Sequence, residues 1–380
     1  MSDYEAIELL EKMVSIPSPS GRERELALFL SRYLAERGFE VRIDQAGNLI
    51  GATGPAEGPT IMLLGHLDTI PGELPTRREG GKLYGRGAAD AKAALAAMIQ
   101  AARPRPGLPA RVLVAGAVEE ETPQSRGANH IGRTFYPDAV VVGEPAGWSK
   151  VVIGYKGKLD LRFQVTRPAM HSSTPVPRAS EVATELWSDL VELLGSGGER
   201  QGGAFWQPLA ALEEFHGGIA EASMTVSCRL PPRFDEKALL AALHHRSRGA
   251  CIELLNMIEA VVVEDSSPAV RALRAGVRAQ GGAPVHVLKT GTSDMNTVVA
   301  YWNVPIASYG PGESILGHTD EEHVDLDDYL RSIAVLATAL EELAGELAGA
   351  ARAAGEQTAP PPAAGQPSGD GIVTKGGRRA

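Results

Sequence analysis

The chain has 380 residues, of which 43% are hydrophobic and 22% charged, and its formal net charge is −10. This composition is typical of a globular protein of two or three domains, and the acidic balance argues against a nucleic-acid binder, which needs clustered lysine and arginine. Two cysteines, Cys228 and Cys251, cannot build a disulfide framework, so we expect buried free thiols in a reducing compartment. The N-terminus lacks the apolar core of a signal peptide, and no apolar run reaches the ~18 residues that cross a bilayer, which predicts a cytoplasmic protein.

The first 150 residues alternate helical patterns with apolar strands, which favours an α/β domain. After two amphipathic helices and two short strands comes the apolar run Ile61–Leu64, which ends in Gly65-His66-Leu67-Asp68-Thr69. A strand alternates its faces, so His66 and Asp68 leave the sheet on the same side. This spacing suits a metal-bound imidazole that a carboxylate orients, although a surface turn is the ordinary interpretation of His-x-Asp alone.

Carboxylates lie directly before or after three more predicted elements of the first 150 residues. They are Asp90, before an Ala-rich helix over 91–102; Glu119, Glu120 and Glu121, after an apolar strand over 111–118; and Glu144, after a strand over 139–143. An N-cap would explain the first of these and a solvated charge run the second. However, ligands of open α/β sheets bind at the carboxyl ends of the strands, and three strands deliver His or carboxylate there.

From 151 to 266 the pattern changes to βαββαβ, which predicts a ferredoxin-like α+β domain inserted into the α/β domain. The α/β pattern then resumes with a helix, two strands, a late His318 and a final helix to about Leu347. We therefore expect catalytic segments at 1–150 and 267–348, the insertion at 151–266, and a disordered tail at 349–380 that is rich in Ala, Pro and Gly.

The candidate ligands share a chemistry of imidazole and carboxylate without thiolate, which suits Zn²⁺, Co²⁺ or Mn²⁺. They are His66, Asp90, one or more of Glu119, Glu120 and Glu121, Glu144 and His318. One ion needs only three or four such groups, whereas five ligands and a bridging water suit two ions about 3.5–4 Å apart.

These residues resemble the M20 metallopeptidases, a family that includes acetylornithine deacetylases and succinyl-diaminopimelate desuccinylases. The resemblance covers residues 3 to about 347 and lies in Gly65-His66-Leu67-Asp68-Thr69, Gly85-Arg86-Gly87 with Asp90 and Lys92, Glu119-Glu120-Glu121, Gly143-Glu144-Pro145 and His318. It implies a zinc-peptidase-like catalytic domain with an inserted dimerisation domain, a homodimer, and two divalent ions that are Zn²⁺ or Co²⁺.

The resemblance also implies a metal-binding role for five positions: His66 and Glu144 for one ion, Glu121 and His318 for the other, and Asp90 as the bridge. It implies three catalytic roles: Asp68 as the clamp on His66, Glu120 as the general base, and His171 as an oxyanion donor that reaches into the partner subunit's site. The family usually has Asp-Glu-Glu where this chain begins with Glu119. An alternative therefore stays open, with Glu119 as the base and Glu120 as the ligand.

Softer motifs, at 154–157 and 289–296, resemble those of hydrolases that act on a LysW-like amino-group carrier protein. Such enzymes cut the amide between the α-amino group of lysine or ornithine and the γ-carboxyl of the carrier's C-terminal glutamate. The alternative substrate is a small acyl amino acid, such as acetylornithine or succinyl-diaminopimelate. A non-catalytic binding protein on this fold would have a broken ligand position, and the sequence has none. The candidate substrate contacts are Arg229, Thr292, Ser293 and Asp294.

Overall fold

The structure is a computed structural model that describes residues 3–171, 173–195 and 203–358, with side chains to residue 353. Its helices are α1 (Asp3–Ser15), α2 (Arg24–Ala35), α3 (Lys92–Ala101), α4 (Arg126–Thr134), α5 (Ala179–Gly195), α6 (Glu236–His245), α7 (Pro268–Ala279), α8 (Asp294–Val298) and α9 (Leu326–Thr358). Within these residues, no helix is both long and apolar enough to cross a membrane.

The strands fall into three sheets. They are β1 (Glu40–Ile43), β2 (Leu49–Thr53), β3 (Thr60–His66), β4 (Arg77–Glu79), β5 (Lys82–Tyr84), β6 (Arg111–Ala117), β7 (Ala139–Val142), β8 (Lys150–Tyr155), β9 (Gly157–Thr166), β10 (Leu209–Gly217), β11 (Glu221–Leu230), β12 (Cys251–Ile258), β13 (Val261–Val262), β14 (Val285–Lys289), β15 (Ile306–Ser308) and β16 (His323–Asp325).

The large sheet has the order β1-β2-β6-β3-β7-β15-β8-β13, with β14 paired to β8. Strands β6, β3, β7 and β15 run parallel, so the residues that follow them meet at one edge. Helices α1, α2, α3, α7 and α9 cover one face, and α4 and α8 cover the other. Burial on both faces explains why β3 and β7 read as unbroken apolar runs.

A four-stranded antiparallel sheet with the order β10-β11-β9-β12 forms a second unit, with α5 and α6 on one face. This is the arrangement of a ferredoxin-like sandwich, and the predicted α/β fold with such an insertion is confirmed. The small sheet spans 157–258, inside the predicted 151–266, because two predicted strands each divide between the sheets. The predicted strand over 151–165 is β8 and β9, and the one over 252–263 is β12 and β13.

The two connections between the sheets pass close to each other at Gly157. A Cβ atom at this position would lie 2.6 Å from the carbonyl oxygen of Ile258, so only glycine fits. The side-chain amide of Asn296 donates to the carbonyl groups of Lys156 at 3.0 Å and Glu259 at 2.8 Å. Its oxygen accepts the N–H of Ser293 in a capping box, so one side chain joins α8 to both connections.

Three predictions differ from the structure. The loop after His66 contains β4 and β5, which form a small sheet with β16. Helix α9 continues to Thr358, so residues 349–358 of the predicted tail are helical; this Ala-rich stretch has high helical propensity. Residues 359–380 lie outside the described part of the chain. Cys228 is buried as expected, but Cys251 is exposed at the start of the edge strand β12.

Candidate active site

Two groups of imidazole and carboxylate side chains lie where β3, β6 and β7 end. His66, Asp90 and Glu144 form the first group, and Asp90, Glu121 and His318 form the second, so Asp90 belongs to both. Within each group the candidate ligand atoms lie within 4.8 Å of one another. His66, Glu121 and Glu144, which are up to 78 positions apart in the chain, therefore converge because three parallel strands end at one edge.

The distances inside these groups fit divalent cations. The Nε2 atom of His318 lies 2.8 Å from Oε1 of Glu121 and 3.5 Å from Oδ2 of Asp90. The Nε2 atom of His66 lies 3.5 Å from Oδ1 of Asp90, is buried, and forms no hydrogen bond with any described residue. The buried imidazole nitrogen and the carboxylates that converge on it form a set of donor atoms that Zn²⁺ or Co²⁺ accepts.

Asp68 is fully buried beneath the first group. The Nδ1 atom of His66 donates to the backbone carbonyl of Asp68 at 2.9 Å, and the carboxylate lies farther away at 3.5 Å. Because a carbonyl only accepts, this bond puts the proton on Nδ1 and leaves Nε2 free as a ligand atom. The Asp68 carboxylate instead accepts the backbone N–H groups of Glu120 and Glu121, both at 3.0 Å, and the hydroxyl of Ser20 at 2.8 Å.

The side chains of the three consecutive glutamates lie in different surroundings. Glu121 belongs to the second ligand group, and Glu120 lines the cavity above both groups. Glu119 has a φ of 58°, and its carboxylate accepts two hydrogen bonds from Arg126, at 2.9 and 2.7 Å. Burial raises the pKa of Glu120 well above its usual range, and the neighbouring Glu144 raises this pKa further. Buried, mutually repelling carboxylates of this kind mark functional sites.

Glu322 was not selected from the sequence, yet it holds the segment that carries Asp90. Its Oε1 accepts the backbone N–H of Asp90 and that of the preceding residue, both at 3.1 Å, and its Oε2 pairs with Arg86 at 2.7 Å. Arg86 also donates to the carbonyl of Thr319, next to His318. The ion pair therefore links the loops that carry two candidate ligands. Arg86 stands in a motif noted above, but Glu322 has no sequence signal beyond an acidic run.

A cavity of about 360 Å³ opens over the two ligand groups. Lys158, Arg229 and Asn256 of the small sheet form its opposite wall, and Thr292 and Ser293 also line it. Arg229 donates to the hydroxyl of Thr292 at 3.0 Å. The two units of the chain thus face each other across this cavity.

Four of the predicted site residues are not among those that line this cavity: His66 and Asp68, described above, and Asp294 and His171. Asp294 is buried, and its carboxylate forms no hydrogen bond with any described residue; burial raises its pKa to about 7. His171 is exposed, and its Nδ1 lies 2.8 Å from the hydroxyl of Ser173. Neither side chain contacts the two ligand groups through a hydrogen bond in the described residues.

The fold and the site define a hydrolase of amide bonds, and the chain belongs to peptidase family M20/M25/M40, whose sequence pattern matches residues 62–342. The predicted membership of the M20 metallopeptidases is thereby confirmed. The LysW-lysine hydrolase of Deinococcus radiodurans is 40% identical over 357 residues, which cover 90% of this chain and 97% of that protein. The LysW-lysine/LysW-ornithine hydrolase of Sulfurisphaera tokodaii is 28% identical over 338 residues, which cover 88% of this chain and 95% of that protein.

Solved structures share the fold at lower identity. A tripeptidase from Staphylococcus aureus has a TM-score of 0.76 at 19% identity and covers 91% of this chain and 99% of its own. A dinuclear metal-binding peptidase of family M20 from Bacillus subtilis has a TM-score of 0.68 at 14% identity, covering 91% and 98%. The two groups that share Asp90 are the candidate ligands of this chain for a dinuclear centre.

Proposed function

We propose that the chain is a di-metal amidohydrolase that releases lysine or ornithine from the C-terminal glutamate of a LysW-like amino-group carrier protein. The observation that carries the proposal is the pair of ligand groups that share Asp90 at the edge of the large sheet. The choice of substrate is supported by relatives that are 40% and 28% identical over most of their length and are named for this reaction.

The proposed ligands are His66 and Glu144 for one ion and Glu121 and His318 for the other, with Asp90 between them. Zn²⁺ is the proposed metal and Co²⁺ the second choice, because both accept nitrogen and carboxylate donors without thiolate. When bound, two such ions lower the pKa of a water molecule towards neutrality and polarise the amide carbonyl.

Glu120 is the proposed general base. Its carboxylate lines the cavity but belongs to neither ligand group, so it is free to take a proton from the attacking water and return it to the leaving α-amino group. Such proton transfer contributes about 10²–10⁴-fold to a rate. Glu119 is less suited, because Arg126 holds its carboxylate.

Arg229 and Thr292 are proposed to bind the α-carboxylate of the leaving amino acid, since a guanidinium can bind a carboxylate bidentately. We further propose a homodimer in which His171 donates to the oxyanion in the partner subunit's site. The edge strands β10 and β12 of the small sheet are surfaces on which a second copy could pair. A cytoplasmic location is part of the proposal, because Cys228 and Cys251 are free thiols and stay reduced there.

The test compares turnover of four substrates by protein loaded with Zn²⁺ or Co²⁺: carrier-linked lysine, carrier-linked ornithine, acetylornithine and succinyl-diaminopimelate. A carrier-linked substrate is expected to have the highest kcat/KM. Equal or better turnover of either small acyl amino acid would refute the carrier as substrate.

The general base is tested by Glu120→Gln, with Glu119→Gln as the matched control from the same run of glutamates. Loss of about 10²–10⁴-fold in kcat is expected for Glu120→Gln at unchanged metal content, because only the proton acceptor is removed. Glu119→Gln is expected to retain most of the activity. The opposite result would make Glu119 the base.

A further inference from the structure

Two rows of polar side chains lie on the open face of the small sheet, and three of their residues, Lys158, Arg229 and Asn256, line the cavity opposite the candidate metal ligands. In the first row, Arg229 of β11 lies directly opposite Lys158 of β9, and both line the cavity. In the second row, Asp160 of β9 lies between Ser227 of β11 and Asn256 of β12. The alternate residues of these strands point to the other face and pack on α5 and α6.

The first row places two cations opposite each other on neighbouring strands, an arrangement that costs stability unless anions offset it. Asp160 offsets part of the repulsion: its Oδ2 lies 3.0 Å from the ammonium of Lys158, and its Oδ1 accepts the hydroxyl of Ser227 at 2.6 Å. Among the described residues, no carboxylate lies within ion-pair distance of Arg229, whose hydrogen-bond partner is the hydroxyl of Thr292.

Among the residues that the structure describes, both cations keep donors without a partner. An ammonium has three N–H groups and a guanidinium has five, whereas Lys158 forms one ion pair and Arg229 one hydrogen bond within this part of the chain. Asp160 is itself buried and fixed by Ser227, so it holds the Lys158 ammonium at the wall instead of letting it extend into solvent. The wall therefore presents two separate cationic groups to whatever enters the cavity.

The substrate of the proposed function carries two free carboxylates. One is the α-carboxylate of the lysine or ornithine, and the other is the α-carboxylate of the carrier's C-terminal glutamate, whose γ-carboxyl forms the amide. We propose that Lys158 binds the α-carboxylate of this glutamate while Arg229 binds that of the amino acid, an inference that rests on the proposed function. Arg229 is assigned to the amino acid because it donates to Thr292 of the other unit, whereas Lys158 pairs with Asp160 of its own strand. The carrier side must lead out to solvent.

The test uses two substrates that differ only in the carboxylate at issue. Nα-glutaryl-lysine keeps the distal carboxylate of a γ-linked glutamate, and Nα-butyryl-lysine ends in a methyl group instead. Wild-type enzyme is expected to prefer the glutaryl compound in kcat/KM by about 10- to 100-fold, the value of a hydrogen bond to a charged group. Lys158→Met should reduce this ratio to near unity, because turnover of the glutaryl compound falls more than that of the butyryl compound. Lys158→Arg should keep the preference.

Arg162→Met is the matched control. Arg162 lies on the same face of β9, pairs with Glu253 at 3.3 Å, and is not among the residues that line the cavity, so its loss should leave the ratio unchanged. A wild-type enzyme without preference, an unchanged ratio in Lys158→Met, or an equal fall for both substrates would overturn the inference. Loss of the preference in an Arg229→Met variant but not in Lys158→Met would also overturn it.

Calorimetric binding of glutarate and butyrate separates the inference from the proposed function. Glutarate should bind wild-type protein more tightly than butyrate, and Lys158→Met should remove the difference. If carrier-linked lysine is not hydrolysed but this difference is present and depends on Lys158, the proposed function fails and the carboxylate subsite stands. If carrier-linked lysine is hydrolysed and the difference is absent, the proposed function stands and the carboxylate subsite at Lys158 fails.

Discussion

Replacing Asp68 with asparagine is expected to weaken both metal binding and catalysis. The buried carboxylate accepts two backbone N–H groups, of Glu120 and Glu121 at 3.0 Å each, and the hydroxyl of Ser20 at 2.8 Å. A side-chain amide has only one acceptor oxygen, so its NH₂ group must face one of these N–H groups. Leaving one buried donor unsatisfied costs about 1–3 kcal/mol, and the remaining bonds lose their charge assistance.

The functional loss should exceed what this destabilisation explains. The carboxylate anchors the turn that carries the proposed base and the ligand Glu121. Loss of such an outer partner typically lowers metal affinity or activity by about 10–100-fold. The measurements are metal affinity by competition with a chelator, kcat/KM of the metal-loaded enzyme, and the free energy of unfolding of the metal-free protein.

Asp44→Asn is the matched control for Asp68→Asn. The Asp44 carboxylate also accepts two backbone N–H groups, of Ala46 at 2.9 Å and Asn48 at 3.0 Å, but it lies in the turn between β1 and β2. Its loss should destabilise the protein without changing metal affinity. If Asp68→Asn lost stability but kept the metal affinity and kcat/KM of the wild type, Asp68 would have only a structural role, and the reasoning above would be refuted.

Three further measurements test other parts of the structure. A Glu120→Gln chain and a His171→Ala chain should each be inactive alone. When the two are co-expressed, about a quarter of wild-type activity should return if His171 acts across a dimer. No recovery would contradict that role. A thiol reagent should modify Cys251 in native protein and Cys228 only after unfolding, because burial raises the pKa of the Cys228 thiol to about 12. Fast reaction of both thiols in native protein would contradict the burial of Cys228. Hydrogen bonds from two arginines lower the pKa of Glu5 from 4.5 to about 2. Denaturant unfolding should therefore show that wild type is more stable than Glu5→Gln by less than about 1 kcal/mol at neutral pH. This difference should disappear as the pH falls through 4.5 towards 2.

The positions at the ends of apolar strands were accessible from the sequence. An unbroken apolar run indicates a strand buried on both faces, and the first polar residues after it lie at the sheet's carboxyl edge. His66, Glu121 and Glu144 could be located in this way because each follows such a run. His318 does not directly follow such a strand, and only the family resemblance assigned it to a particular ion.

The supporting contacts could not be predicted from the sequence. Asp68 bonds to backbone N–H groups that lie more than 50 residues away, and such bonds impose no residue type on the donor segment. Glu322 likewise reaches the backbone near Asp90 from 232 residues away. The strands that pass from one sheet to the other were predicted as single strands, because their apolar pattern continues through Lys156 and Glu259 without a turn signal.

The amide of Asn296 limits how the two units can move relative to each other. Both peptides that enter and leave the small unit are fastened to the same side chain, at Lys156 and Glu259. Sliding of one unit over the other would stretch both bonds at once, whereas a swivel about the amide would preserve them. Rotation about this amide is therefore the relative motion of the two units that keeps both bonds, and it would move Lys158, Arg229 and Asn256 towards or away from the candidate metal ligands.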